Sequence, residues 1–269
     1  MAFCSNGELE IHYLDSGSGT PLVFLHGLGS SSDDWRSQCE FFARHYRVLA
    51  IDLRGHGCSA TPAGLFSVED YASDVVAVMD HLGIAGAHVI GLSMGGMAAF
   101  QLACTHEQRL LSLTIVNSAP AVEYRSLAQK LRVWQRLLII RLLGMRMLGQ
   151  MVANRLFPKA EQAGYRQQFI AQLAQFPQDT YLRALRSFLG WDVTAQLSHI
   201  QVPVFVVTGD RDYTPVAAKA AYADIIPHSE LYVIPDSGHA TPIDQSEAFN
   251  VGLSRFLSQV PLKHYAQDK

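Results

Sequence analysis

The chain has 269 residues, and several features it lacks limit its class before any motif is read. The first residues, Met1-Ala2-Phe3-Cys4-Ser5-Asn6-Gly7-Glu8, contain neither the basic nor the apolar segment of a secretory signal, so a cytoplasmic location is expected. Long apolar runs are missing as well. The longest patch, Leu137-Leu138-Ile139-Ile140, is bounded by Arg136 and Arg141 and is too short to cross a bilayer. Cysteine is scarce: Cys4, Cys39, Cys58 and Cys104 show no CxxC or other metal-ligand spacing. Reduced thiols, no metal site and no cofactor are therefore expected. No internal repeat or low-complexity tract is visible.

What is present is a large apolar fraction, 49% of residues, enough for one full core and against disordered or fibrous classes. The net charge of −3 gives no reason to expect a nucleic acid partner, but it hides an asymmetry. Residues 121–190 carry eleven Lys or Arg against three acids, Glu123, Glu161 and Asp179, while the remainder carries ten against twenty-one. The segment is about +8 and the rest about −11, which suggests two parts with different jobs.

The same boundary divides the element pattern. Glu10 to Leu14 reads as an edge strand, and Leu22 to Leu25, Val48 to Ile51 and His88 to Ile90 as short buried strands. Ser67-Val68-Glu69-Asp70 resembles a capped start for a helix to about Leu82, with Gly83 as its stop. Leu113 to Val116, Val204 to Val207 and Glu230 to Ile234 supply further strands, with helices near 216–225 and 245–258. Such alternation implies an α/β fold with a doubly wound, mostly parallel sheet flanked by helices. It fails between about 121 and 191, where helical patterns over 127–148 and 165–175 appear without a convincing strand. The expected organisation is a core of residues 1–120 and 192–269 with a helical lid insertion, 121–191, over the sheet's C-terminal edge, where open α/β sheets bind ligands.

The chemistry is announced by Gly91-Leu92-Ser93-Met94-Gly95, directly after an apolar strand and before a helix-forming stretch. A serine between two glycines at that junction reads as a nucleophile elbow, a sharp strained turn that exposes the hydroxyl. Serine needs a base, and the base needs a group that fixes its tautomer. Among the later histidines, His106, His199, His228, His239 and His264, only His239 sits in a Gly-His loop between the last strand and the last helix. For the acid, Thr208-Gly209-Asp210-Arg211-Asp212 offers two aspartates; Asp212 is preferred as deeper in the loop, with Asp210 bracing the turn or pairing with Arg211. Two backbone amides are required for an oxyanion. One belongs to Met94, and Leu28 in His26-Gly27-Leu28-Gly29 is the natural second donor, with His26 bracing that loop.

These segments, with Asp52-Leu53-Arg54-Gly55-His56-Gly57-Cys58-Ser59, resemble the α/β-hydrolase fold superfamily in its serine-nucleophile esterase and lactonase branch. The resemblance implies an eight-stranded sheet, Ser93 as nucleophile, His239 as base, Asp212 as acid, and the amides of Leu28 and Met94 as oxyanion hole. It assigns Asp52 to Ser59 a structural role. Relatives with aspartate or cysteine as nucleophile are set aside by Ser93, which implies an acyl-enzyme formed from an ester, thioester or lactone.

The insertion decides the substrate. Leu131, Trp134, Leu138, Leu142, Met145 and Leu148 recur at helical spacing, with Arg132, Arg136, Arg141 and Arg146 between them. One reading has the apolar face covering the pocket and the arginines in water. Others have the basic cover steering an anionic small-molecule substrate, an acyl-CoA or an acyl-carrier protein, or touching an anionic membrane surface. Trp134 and Trp191 are candidates for an apolar acyl pocket. Arg183 and Arg186 are candidates for gripping a carboxylate, as in the runner-up reading, a carbon–carbon bond hydrolase of ring-cleavage diketone acids. That family resembles Gly-Asn-Ser-Met-Gly at the elbow, whereas this chain has Leu92. An acyltransferase and a non-hydrolytic ligand-binding scaffold are further alternatives. The oligomeric state is not legible.

Overall fold

The computed structural model describes residues 2–261, apart from the side chain of Arg132; His264 therefore lies outside the described residues. In chain order the elements are β1 (Ala2–Asn6), β2 (Leu9–Gly17), β3 (Pro21–Leu25), α1 (Arg36–Phe42), β4 (Arg47–Ile51), α2 (Val68–His81), β5 (Ala87–Leu92), α3 (Met94–His106) and β6 (Leu110–Val116). They continue with α4 (Leu127–Leu156), α5 (Ala163–Gln175), α6 (Gln178–Ser187), β7 (Val204–Gly209), α7 (Val216–Ala223), β8 (Ser229–Ile234), α8 (Thr241–Asp244) and α9 (Ser246–Gln259).

The strands form one eight-stranded sheet in the order β1-β2-β4-β3-β5-β6-β7-β8. From β4 onward every neighbour pair is parallel; β1–β2 and β2–β4 are antiparallel. The stretch expected as an edge strand, Glu10 to Leu14, lies in β2, second from the edge. Ala2 to Asn6 pairs outside it, a strand whose mixed polar sequence gave no alternating pattern to detect.

Strand periodicity divides the core into two layers. Val23, Leu25, Val89, Leu113, Val204 and Val206 pack on the side that holds Val75, Val78, Ala99 and Phe100 of α2 and α3. Their neighbours Leu22, Phe24, Ile90, Phe205 and Val207 pack against Phe42 of α1 and Phe249 and Leu253 of α9. A strand covered on both faces is mostly apolar, which is why β3, β5, β6 and β7 read as largely hydrophobic runs. The buried polar pair His88 and Ser112, of β5 and β6, satisfy each other at 2.7 Å. Each large side chain so buried contributes about 2 kcal/mol. Helix α2 starts as its sequence requires: Ser67 accepts from Asp70 N while the Asp70 carboxylate accepts from Ser67 N at 2.8 Å, and Gly83 ends it at φ 64°.

Residues between β6 and β7 depart from the alternation. Ala121 and Asp192 form an isolated bridge, and Val122 N donates to Trp191 O at 2.9 Å, so the two ends of the segment are clasped together. Between them stand α4, α5 and α6, and no strand among the described residues. Helix α4 is long and apolar enough, by length and composition alone, to cross a membrane, with mean hydropathy 1.3 in its richest window. It is broken at Gly144, whose φ of 76° and ψ of 176° are not helical. Ile140, Met145 and Leu148 of α4 pack on Leu173 of α5 and Tyr181 of α6, against Leu28 of the core. This differs from the apolar face expected from helical spacing. Met145 and Leu148 are buried, but Leu131, Trp134, Leu138 and Leu142 are exposed, because the break at Gly144 puts the two halves of α4 out of phase.

Candidate active site

Ser93 lies between the end of β5 and the first residue of α3, with φ 53° and ψ −112°. Such a conformation costs a side-chain-bearing residue about 1–3 kcal/mol, and the neighbours enforce it. Ser93 N donates to Val116 O at 2.9 Å, and Ser93 O accepts from Ser118 Oγ at 2.7 Å and Met97 N at 3.1 Å. The flanking glycines are dictated by space. A Cβ on Gly91 would come within 2.6 Å of Gly96 N, and one on Gly95 within 2.7 Å of His26 O.

Asp212 follows β7, and His239 lies on the loop after β8. His239 Nδ1 and Asp212 Oδ1 are 2.8 Å apart, with the Asp212 side chain fully buried. The other oxygen, Oδ2, accepts from Lys219 Nζ at 2.5 Å and Thr214 Oγ1 at 2.7 Å. Burial alone would raise this carboxyl, but hydrogen bonds and charge from His239 and Lys219 outweigh it and bring it down to about 2. It is therefore an anion at neutral pH, and Nδ1–H donates to it. That tautomer leaves the Nε2 lone pair facing the cavity, as a general base requires.

Nε2 meets the hydroxyl of Tyr213 at 2.7 Å. The Tyr213 ring stacks on the imidazole with centroids 4.1 Å apart. The phenol therefore occupies the lone pair of Nε2 on the cavity side. Tyr213 gave no signal in the sequence beyond following Asp212.

Asn117 was also missed. It follows β6 with φ 45°, and its side chain joins three strand ends: Nδ2 donates to His239 O and Thr241 Oγ1, each at 2.7 Å, and Oδ1 accepts from Gly209 N at 3.1 Å. Asp210 braces the same loop by accepting from Ser237 N at 3.1 Å, while Arg211 pairs with Asp236. The buried His26 donates from Nδ1 to Gly27 O and accepts at Nε2 from Leu53 N, bracing its loop. Of the remaining histidines, His106 bonds its neighbour Thr105, and His199 and His228 are exposed.

Above Ser93 is a cavity of about 450 Å³. Leu28 and Met94 line it, and Met94 opens α3, where a backbone N–H has no intrahelical acceptor. Met97, Val122, Val152, Leu156, Phe169 and Phe188 make much of the wall apolar. Two arginines of α4, Arg136 and Arg155, line it as well. Arg136 donates from Nη2 to Tyr181 Oη, but its buried Nε has no partner among the described residues. The Arg155 guanidinium lies over the Tyr213 ring, 5.3 Å from the centroid. Neither arginine is ion-paired among the described residues. Asp34, on the far wall, accepts from Ser30 Oγ, and burial pushes its carboxyl up to about 6.

The four side chains expected to bind substrate do not line this cavity. Trp134 is exposed on the outer face of α4. Arg183 and Arg186, on α6, face a separate groove beside Leu65 and Arg141, and Arg183 Nη1 donates to Pro62 O at 2.5 Å. Trp191 is buried in the core, donating from Nε1 to Gln101 Oε1 at 2.8 Å. The register of α4 brings Arg136 inward in their place.

Away from the cavity, the Asp52 to Ser59 loop is braced on its first residue. Asp52 bonds His12 Nδ1 and Cys58 N, each at 2.8 Å, and Ser32 N at 2.6 Å. His12, Asp52 and Cys58 hold possible ligand atoms within 4.8 Å of one another, but both carboxylate oxygens are already committed to these bonds. All four cysteines are free thiols.

A family model described as the alpha/beta hydrolase fold matches residues 20–246. The 3-oxoadipate enol-lactonase 2 of Acinetobacter baylyi is 31% identical over 234 residues, covering 85% of each chain. A protein provisionally named a carbamate hydrolase in Azorhizobium caulinodans is 28% identical over 266 residues, covering 97% of this chain and 99% of its own. Among solved structures, a thermophilic esterase from Thermogutta terrifontis, with malate bound, superposes with a TM-score of 0.87 at 27% identity, covering 96% of this chain and 98% of its own. The chain belongs to the α/β-hydrolase fold family, and it is a hydrolase.

Proposed function

We propose that the protein is a serine hydrolase that cleaves a small to medium carboxylic ester, lactone or thioester through an acyl-enzyme. The observation that carries this reading is the 2.8 Å bond between buried Asp212 and His239 beside a strained serine elbow. In this account Ser93 is the nucleophile, His239 the base and Asp212 the acid that holds its tautomer. A substrate carbonyl enters against Ser93 and displaces the Tyr213 hydroxyl, because Nε2 has a single lone pair and cannot serve both. His239 then takes the Ser93 proton as the oxygen attacks. The N–H groups of Leu28 and Met94 receive the charge that develops on the carbonyl oxygen. His239 returns the proton to the leaving alcohol, and water activated by the same imidazole releases the acid.

Helices α4, α5 and α6 act as the lid of this cavity, and their arginines give the substrate its sign. Arg136 and Arg155 line a largely apolar wall without ion-pair partners among the described residues, which favours an acyl substrate bearing an anionic group; the malate bound to the Thermogutta terrifontis esterase is in keeping with this. The partner is a small molecule. The carbon–carbon hydrolase reading offered Arg183 and Arg186 to grip a carboxylate, and these face another groove; Leu92 also stands where the elbow of that family resembles asparagine, so the ester reading is preferred.

The test is a panel of short and medium p-nitrophenyl esters, lactones and vinylogous 1,5-diketone acids with wild type and Ser93→Ala. Ester or lactone turnover that Ser93→Ala abolishes is expected. Turnover of the diketone acid with none of the esters would replace this reading with the carbon–carbon one.

A further inference from the structure

Lys219 has no part in the mechanism above, yet it is the most deeply placed cation of the site, at 1% exposure. It stands one turn into α7, and Nζ reaches three acceptors: Asp212 Oδ2 at 2.5 Å, Thr214 O at 2.6 Å, and Thr214 Oγ1. Thr214 Oγ1 spends its own proton on Asp212 Oδ2, so it can only accept from Lys219. Three acceptors match the three N–H bonds of an ammonium; a neutral amine would leave one acceptor facing a lone pair. The geometry is that of a charged lysine.

The Asp212 carboxylate therefore faces two groups at once, Lys219 on Oδ2 and the imidazole on Oδ1. A lone buried carboxylate would stabilise an imidazolium strongly. One already paired with an ammonium presents a dipole instead of a full charge, and its pull on the His239 proton is weaker.

We propose that Lys219 is a positioning residue: its buried ammonium holds the outer oxygen of Asp212, shares that charge with His239, and so lowers the pH at which His239 becomes a free base. The proposal rests on the reading of Ser93, His239 and Asp212 as the reacting set, but it concerns a property of the imidazole that is measurable without turnover. The other charged or titratable groups around His239 are Tyr213 on the β7–α7 loop, Arg136 and Arg155 on α4, Asp34 across the cavity, and Asp244 on α8, which accepts from Gly238 N at 2.6 Å. These remain in place when Lys219 is changed. Burial raises the carboxyls of both Asp34, to about 6, and Asp244; Asp34, which lines the cavity itself, is the one controlled.

The experiment compares Lys219→Gln and Lys219→Met in an Asp34→Asn background. The His239 imidazole is titrated by NMR, assigned by the loss of its signals in His239→Gln, and kcat/KM for p-nitrophenyl acetate is followed against pH. Gln keeps a donor to Asp212 without the charge; Met removes both. The midpoint of His239 and the acid limb of kcat/KM are expected to rise together by about one to two pH units in either variant, at an effective dielectric near 20. An unmoved midpoint in Lys219→Gln, with only thermal stability lowered, would overturn the proposal and leave Lys219 a neutralising group. Should Lys219→Met fail to fold, Lys219→Gln decides the matter. A shifted NMR midpoint without ester turnover would support the role of Lys219 and count against the esterase reading instead.

Discussion

The hydroxyl of Tyr213 lies 2.7 Å from Nε2 of His239 and takes the position that a serine proton or a leaving-group oxygen needs during acyl transfer. Both residues line the cavity above Ser93, so the phenol imitates a substrate oxygen facing the base. Tyr213 is half exposed, and its ring is held by the stack on His239 and the Arg155 guanidinium over it.

Removing that hydroxyl should release the site. One hydrogen bond of about 1 kcal/mol must be broken for substrate to engage Nε2, so Tyr213→Phe is expected to raise kcat/KM for small esters by about five-fold. A loss of a hundred-fold or more, measured by the same assay, would instead make the phenol part of the proton path.

Arg136 offers a test of substrate charge. An acyl carboxylate would fill the unpartnered Nε, and a hydrogen bond to a charged group contributes about 1.5–3 kcal/mol. Arg136→Met should therefore raise KM for a carboxylate-bearing ester about ten-fold or more while changing that of its neutral methyl ester less than about two-fold. Equal effects on both would remove the anion from the account.

Asp34 makes the site sensitive to pH. Its carboxyl is raised to about 6 from 3.8, so the folded protein keeps a proton that the unfolded chain gives up. The penalty is absent below about pH 4, grows as pH rises toward 6 and is constant above that. Asp34→Asn should thus stabilise the protein at pH 8 by about 1 kcal/mol, discounted for the side chain's partial contact with water, and leave it unchanged at pH 3.5. Thermal melts at the two pH values check the sign. A stabilisation equal at both would show that ionisation is not the cause.

The two aspartates after β7 should separate cleanly. Asp212→Asn removes the acceptor that fixes the His239 tautomer and should lower kcat by about 10⁴. Asp210→Asn weakens one bond to Ser237 N and should cost about 1 kcal/mol of stability, with less than about ten-fold in kcat. Because Asp212 is held near 2, its contribution to stability is present above pH 4 and lost as pH falls from there through 2. Steady-state kinetics at pH 7 on both variants decide the assignment, and a reversed order would move the acid role to Asp210.

Much of the fold was legible because it follows local rules. Buried parallel strands are mostly apolar, a glycine-flanked serine marks a turn that tolerates no side chain on either side, and Ser67 with Asp70 caps a helix by its own hydrogen bonds. The approach of Asp212 and His239 could be inferred from their loops because parallel strands end on the same edge of the sheet. The lining of the cavity could not. Spacing alone put Trp134 on a covering face and left Arg136 either in water or over the substrate, whereas in the folded α4, broken at Gly144, Trp134 is exposed and Arg136 lines the cavity. Tyr213, Asn117 and Lys219 were illegible for another reason. Asn117 and Tyr213 act through contacts between loops far apart in the chain, as when Asn117 ties His239 to Gly209, and Lys219 through the way α7 folds back on the loop before it; no residue type or spacing announces such meetings.

The central claim is that Ser93 becomes acylated, and intact-protein mass spectrometry of a rapidly quenched reaction with a p-nitrophenyl ester tests it most directly. The account predicts a mass increase equal to the acyl group, mapped by peptide digestion to Ser93 and absent in Ser93→Ala. Undiminished ester turnover by Ser93→Ala, with no acyl adduct on the wild-type protein, would contradict it.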